Sequence, residues 1–275
     1  MDRRVFLGVL AASAVAALTA GALVGDGFYT PPQITPRGTG GVPRLRPRPV
    51  PAGFPVPIRF SPPSLTKIPL PGGGAFFGLP GDGNLLALTV DDGDNSEVVG
   101  LYAKFIADTG MRLTFFVNGS RAAWTDNAPA LRPLVDNGQV QMGNHTWSHP
   151  NLTKLSNAEI VQELQTNEDF IVNTFGLTAK PYFRPPYGYH DDRVDAVAAS
   201  IGYSTPVMWY GSLADSTELN DGQLMAQANQ WILPQHIVIG HANWLTVTRH
   251  YDEIVHLIRN RGLVPVTLDD VFLRP

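Results

Sequence analysis

A small distorted (β/α) barrel of about seven units is the fold the chain predicts between residues 81 and 275, and three observations carry it. Apolar residues make up 44% of the 275 positions against 16% charged, enough to bury a core. From residue 84 onward, short apolar runs alternate with amphipathic segments, the pattern of right-handed βαβ units around a parallel sheet. Six or seven such units within about 195 residues suit a barrel better than an open doubly wound sheet.

The units follow in order. Leu85-Leu86-Ala87-Leu88-Thr89-Val90 is an unbroken apolar run, hence a buried strand, and Val98 to Ile106 has the spacing of a helix. Leu113-Thr114-Phe115-Phe116-Val117 is rich in β-branched and aromatic residues and forms the second strand. Val140-Gln141-Met142 is the third strand, and a helix spans about Asn157 to Thr174. A strand at Tyr182-Phe183 and a helix from Asp192 to Ser200 come next. Pro206 to Trp209 is extended, Gln223 to Trp231 helical and Ile237-Val238-Ile239 a strand. A helix near Tyr251 to Arg259 and the run Val264-Pro265-Val266 close the chain.

Two segments precede this domain. Residues 1–25 hold Arg3-Arg4 followed by 21 uncharged residues from Val5 to Gly25, with Ala20-Gly21-Ala22 as a small-residue cleavage site. This is the pattern of a twin-arginine export signal, and an uncleaved membrane anchor is the alternative. Export to the cell envelope or medium is the expectation, with the membrane touched only through that segment. Residues 26–80 contain 14 of the 24 prolines and nine glycines without apolar periodicity, which predicts an extended linker. Phe76, Phe77 and Leu79 at its end are expected to fold back onto the domain.

Charge and cysteine content narrow the chemistry. Residues 23–80 carry six basic residues against Asp26 alone, whereas residues 81–275 carry 12 basic and 22 acidic. So acidic a body is a poor partner for nucleic acid, which requires clustered Lys and Arg. With no cysteine there is no disulfide framework, thiol nucleophile or thiolate metal site. Any metal must be held by His and carboxylates.

Polar residues gather just past the predicted strands, where α/β barrels carry their chemistry. Asp91 and Asp92 follow the first strand, with Gly93 permitting a sharp turn. Adjacent carboxylates repel unless a cation or donor is near, and the same triplet also makes a plain capped turn. His145-Thr146-Trp147-Ser148-His149 follows the third strand, and its i, i+4 spacing can bring both imidazoles to one side of a helical turn. With Asp92 they supply two nitrogens and one oxygen, a set that suits a catalytic divalent metal. Arg184-Pro185-Pro186-Tyr187-Gly188 is a rigid loop whose Arg184 can grip a carboxylate through two parallel hydrogen bonds. Ile237-Val238-Ile239 leads through Gly240 to His241 at the same rim. His190, His236, His250 and His256 have no partner motif and are expected at the surface or in helix packing.

Taken together, Thr89-Val90-Asp91-Asp92-Gly93, His145-x-x-Ser148-His149, Arg184-Pro185-Pro186-Tyr187-Gly188 and His241, in this order over roughly residues 84–272, resemble the NodB-homology polysaccharide deacetylases, carbohydrate esterase family 4. The resemblance implies a metal-dependent deacetylase that hydrolyses N-acetyl or O-acetyl groups of a glycan. It makes Asp91 the catalytic base, oriented by Arg184. Asp92, His145 and His149 become the ligands of one divalent ion, with zinc ahead of cobalt, manganese or nickel. The backbone N–H of Tyr187 helps hold the oxyanion, and His241 is the general acid, kept protonated by Asp215. Asp94, Ser216, Ile239 and Ala242-Asn243 depart from the family's usual residues. Ser216 stands where a tryptophan lines the acetyl pocket, and Trp209 or Trp244 is expected to supply that wall beside Ile239. Tyr187, Tyr189, Trp147 and Trp209 are candidates to stack on sugar rings, with core packing the alternative.

The expected substrate is peptidoglycan or a chitooligosaccharide, handled by a monomer. The alternatives are an O-acetyl xylan esterase, a hydrolase of small amides on the same fold, and a catalytically silent wall-binding module.

Overall fold

A computed structural model describes residues 59–72 and 74–274; the signal segment and most of the predicted linker lie outside the described residues. The elements in chain order are β1 (Ile68–Pro69), β2 (Leu85–Asp92), α1 (Ser96–Thr109), β3 (Leu113–Val117), α2 (Ala122–Asp126), α3 (Ala128–Asp136) and β4 (Val140–Asn144). They continue with α4 (Asn157–Phe175), β5 (Tyr182–Phe183), α5 (Asp192–Ser200), β6 (Thr205–Pro206), β7 (Gly211–Ser212), α6 (Asp221–Trp231) and β8 (Ile237–His241). The last are α7 (Tyr251–Asn260), β9 (Val264–Pro265), α8 (Leu268–Val271) and β10 (Phe272–Leu273).

The principal sheet is parallel throughout and runs β6-β5-β4-β3-β2-β8-β7, with β9 paired to the start of β2. Its end strands β6 and β7 do not pair with each other, so it is a curled half-barrel wrapped by helices. This is the distorted α/β barrel expected. The two-residue strands at the open side break the regular βα rhythm. Residues 59–80 run against the domain. β1 pairs with β10, the Phe60 N–H donates to the Thr109 carbonyl at 2.7 Å, and Phe76 and Leu79 are buried, Phe76 edge-on to Phe272 at 5.4 Å. Among the described residues no helix is long and apolar enough to cross a membrane.

Period-two alternation along each strand decides what reaches the barrel interior. Leu86, Leu88 and Val90 of β2 join the apolar layer beneath the helices, so Ala87, Thr89 and Asp91 face inward. In β8, Val238 packs outward while Ile237 and Ile239 lie inside, which places His241 inside too. Tyr182 faces in and Phe183 out, so Arg184, next in line, faces in. The register pairs Asp91 with His241, and the two functional strands end level.

Helix ends are set by ordinary capping. Asn95 accepts from the Glu97 and Val98 N–H groups at the start of α1, and Gly110 ends it in a left-handed cap. α4 opens on a Ser156–Glu159 capping box and stops at Gly176, again left-handed. α2 and α3 lie in a stretch that the sequence left without helix. Its prolines hid the Leu131, Leu134, Val135 stripe, although Pro129 sits in the first turn, where the missing N–H costs nothing.

Candidate active site and metal centre

Four strand ends and their loops enclose a cavity of about 380 Å³, lined among others by Asp91, Asp92, His145, His149, Tyr187, Trp209 and His241. All the residues singled out in the sequence as a candidate base, acid or ligand meet here or directly behind it.

Asp91 is 1% exposed at the end of β2. Arg184, with no exposed surface, donates from Nη1 to Asp91 Oδ1 at 2.5 Å and to Thr89 Oγ1 at 2.9 Å. Its Nε and Nη2 donate to the carbonyls of Val207 and Met208, and the guanidinium lies 4.1 Å from the centre of the Phe116 ring. The expected pair of parallel bonds to one carboxylate is therefore corrected to a single one. The remaining donors are spent on Thr89 and two carbonyls, which fix the fork among several strands. Asp91 Oδ2 is left facing the centre, 3.6 Å from His145 Nε2.

Asp92 is the next residue, and alternation assigns it to the outer face. Its φ of 71° ends the strand in the left-handed region and re-aims the side chain. Oδ1 then lies 3.4 Å from Nε2 of both His145 and His149. Two bonds of about 2.05 Å opened to the tetrahedral angle span about 3.3 Å, so these separations match the edge of a zinc-type coordination shell. Asp92 Oδ1 is also a buried atom with no hydrogen-bond partner, and one ligand atom from each of the three residues falls within 4.8 Å of the others. Both observations fit a divalent cation.

The histidines converge without a helical turn, which corrects the expected geometry. Residues 145–149 form a loop in which Thr146 and His149 have positive φ, 70° and 63°. Asn118 Nδ2 donates to the carbonyls of His145 and Thr146, and the Thr146 N–H donates to Asn144 Oδ1, which hold the loop in that shape. His145 Nδ1–H donates to the Arg184 carbonyl at 2.7 Å, leaving Nε2 with its lone pair for a metal. Arg184 thus holds the candidate base through its side chain and a candidate ligand through its backbone. Burial, followed by the charge of His145, lowers the pKa of His149 to about 4 despite the pull of Asp92, so this imidazole is neutral and able to ligate at pH 7. Burial alone would raise the Asp92 pKa, but the closeness of the His145 ring, followed by the positive charge of His241, overrides it and holds the carboxyl well below its usual range.

Gly93 makes this turn possible. Its φ is 95°, and an added Cβ would sit 2.4 Å from Trp124 Nε1, the atom that donates to the Asp92 carbonyl at 2.8 Å. Gly93→Ala is expected to lower stability by about 2–4 kcal/mol through overpacking and left-handed strain. Thermal unfolding of the variant beside the wild type checks this.

His241 Nδ1 pairs with Asp215 Oδ1 at 3.0 Å, both buried, and leaves Nε2 at the cavity. Burial alone would lower the His241 pKa; the hydrogen bond and charge of Asp215, then the charges of Asp92 and Asp91, override it and raise it to about 10. Trp209 lines the cavity beside Ile239 and Ser216. Trp244 does not, its indole donating instead to the Ser216 carbonyl at 3.3 Å. Tyr187 has a φ of 59°, lies edge-on to His149 at 4.5 Å and is 44% exposed, with Tyr189 beside it at 5.9 Å. Trp147 packs against Phe170. Asp94 on the rim is paired with Arg121 at 2.8 Å, so the third carboxylate is neutralised outside the ligand set. The remaining histidines have local partners: His190 with Asp195, His236 with the Trp231 carbonyl, His250 with Glu253 and Asp221, and His256 with the Asp252 carbonyl.

A parallel half-barrel with a His-His-Asp cluster and a buried Asp–Arg pair at its strand ends defines an α/β half-barrel protein with a candidate metal site at the C-terminal ends of its strands. Residues 79–206 match the family model described as polysaccharide deacetylase. The chain is 37% identical over 165 residues to chitin deacetylase 1 of Cryptococcus neoformans var. grubii, a match spanning 60% of this chain and 33% of that protein. It is 27% identical over 187 residues to the peptidoglycan-N-acetylglucosamine deacetylase of Listeria monocytogenes, spanning 68% of this chain and 38% of that one. The structure of the chitin deacetylase from Colletotrichum lindemuthianum shares the fold with a TM-score of 0.66 at 21% identity, covering 75% of this chain and 94% of that chain. Residues 79–206 are thus similar to the polysaccharide deacetylases, the family that the sequence motifs resemble. The chain spans about a third of the length of the first curated relatives it matches.

Proposed function

We propose that this protein is an exported, metal-dependent deacetylase that removes N-acetyl groups from an N-acetylglucosamine-containing glycan, with peptidoglycan ahead of chitin-like oligomers. The observation that carries this is the convergence of an Asp–Arg pair, a His-His-Asp cluster and a His–Asp pair on one cavity. The names of the relatives point to the same bond and the same two glycans. The basic linker and twin-arginine segment support placement at an anionic cell envelope, the protein acting as a monomer. Zinc is the proposed ion, held by Asp92, His145 and His149.

When bound, such an ion polarises the acetyl carbonyl and lowers the pKa of water at the site. The chain's residues do the rest. Asp91, its Oδ1 tied to Arg184, takes the proton of the attacking water at the free Oδ2. The Tyr187 backbone N–H donates to the oxyanion that develops on the acetyl oxygen. His241, protonated and oriented by Asp215, delivers a proton from Nε2 to the amide nitrogen, without which an amine is a poor leaving group. Trp209 and Ile239 form the apolar wall for the acetyl methyl, in place of the tryptophan that Ser216 replaces, and Tyr187 offers its exposed face to the sugar.

Acetate release from acetylated chitooligosaccharide and from peptidoglycan tests this reading. Activity is expected with zinc loaded, lost on chelation and restored by adding the ion back. No acetate from either glycan would overturn the deacetylase assignment and leave a silent wall-binding module. Acetate from acetylated xylan alone would move the assignment to the O-acetyl esterase.

A further inference from the structure

Only one carboxylate oxygen of Asp92, Oδ1, faces the two imidazoles, because the other is already occupied. Asn243, two residues past His241, donates from Nδ2 to Asp92 Oδ2 at 2.7 Å. Its own Oδ1 accepts from the Asp94 N–H at 3.1 Å. That backbone group can only donate, so the amide has one possible orientation, with its NH2 toward Asp92. The two carboxylate oxygens are thereby divided: Oδ2 is held by the amide, and Oδ1 is left unpaired, facing both imidazoles.

The loop bearing Asn243 is fastened to the same strand end. The Ala242 N–H donates to the Asp91 carbonyl at 3.0 Å, and the Asn95 N–H donates to the Ala242 carbonyl at 3.2 Å. Asn243 is therefore held in place before any ion arrives. An aspartate here could not donate to Asp92, and its charge would repel the ligand carboxylate. An aliphatic side chain would leave Asp92 free to turn about χ2 and present either oxygen, or both.

We propose that Asn243 is a positioning residue of the metal centre, which fixes Asp92 as a ligand through Oδ1 alone and so sets the affinity for the ion. This rests on the metal reading above. Partners of ligating carboxylates typically account for 10–100-fold in metal affinity.

The test uses the full chain, with zinc Kd measured by competition against a chromophoric chelator for the wild type, Asn243→Ala and Asn243→Leu. Both variants are expected to bind zinc about 10–100-fold more weakly. Their metal-free melting temperatures are expected to fall only slightly, because Asn243 is partly exposed and water can replace part of what its amide gives to Asp92 and Asp94, so that the loss of affinity exceeds the loss of stability. The visible spectrum of the cobalt(II) form is expected to change in both, as Asp92 is released from its fixed orientation. Wild-type Kd and an unchanged cobalt spectrum in both variants would overturn the proposal. So would a loss of affinity matched by an equal loss of metal-free stability, which would make Asn243 a loop anchor only. A wild type that binds no zinc would instead sink the metal reading itself.

Discussion

Asp91→Asn is expected to lower kcat for acetate release by about 10²–10⁴-fold, the usual worth of a positioned general base, while zinc Kd stays at the wild-type value. The split follows from geometry. Asp91 Oδ1 is tied to Arg184, and Oδ2 faces the centre without belonging to the three-ligand set. An asparagine retains an acceptor for Arg184 Nη1 but offers an amide where a proton must land. Stability should fall as well, because Arg184 stays charged and fully buried. Removing one partner of a buried pair costs about 3–5 kcal/mol, and this loss should be smaller. The side-chain oxygen remains, and Thr89 Oγ1 and the carbonyls of Val207 and Met208 still accept from the other donors. Assays well below the variant's melting temperature, with the bound zinc counted, separate the two effects. Activity within a few-fold of wild type would remove Asp91 from the base role. Loss of zinc together with activity would move it into the ligand set.

Much of this site was legible because strand alternation and motif order are local properties. Thr89 and Asp91 share a face by period two, and so do Ile239 and His241, so the inward course of the candidate catalytic side chains follows from the strand assignment alone. What was not legible depends on contacts far away in the chain. The His145 to His149 spacing suggested a helical turn, yet the loop is held with positive φ at two residues by Asn118, 27 residues away, together with its neighbour Asn144. Arg184 looked like a two-pronged carboxylate clamp, but its donors are shared among acceptors that only folding assembles. Asn243 stood out in the sequence only as a departure from the family's usual residues after His241, and its contact with Asp92 lies 151 residues away, so its partner had no local trace. The α2–α3 pair was hidden for a different reason. Pro133 lies inside α3, and propensity weighed against a helix that the packing of Leu131, Leu134 and Val135 sustains.

Asp215→Asn should pull the alkaline limb of the pH–rate profile down toward neutrality and reduce kcat at pH 8 by about 10–100-fold, within the usual range for general acid catalysis. His241 has a pKa of about 10 because Asp215, its hydrogen-bond partner, supplies the main pull against burial. An asparagine can still accept from Nδ1–H, so the ring keeps its orientation while losing most of the stabilisation of its positive charge. Burial then dominates, the pKa falls, and Nε2 no longer carries the proton that the leaving amine requires. The same change appears in stability. A His whose folded pKa lies above its unfolded value of about 6.5 stabilises the fold fully below pH 6.5 and loses that contribution as pH rises toward 10. The wild type should therefore lose stability from this source between those limits, and the variant should show a flatter dependence there. Two measurements with different origins, a rate profile and a series of unfolding midpoints against pH, must shift together if one imidazole is responsible. A rate profile that keeps its alkaline limb in the variant would assign the proton donor to another group. A lost limb with unchanged pH dependence of unfolding would show that Asp215 acts on the transition state without holding the charge of His241 in the free protein.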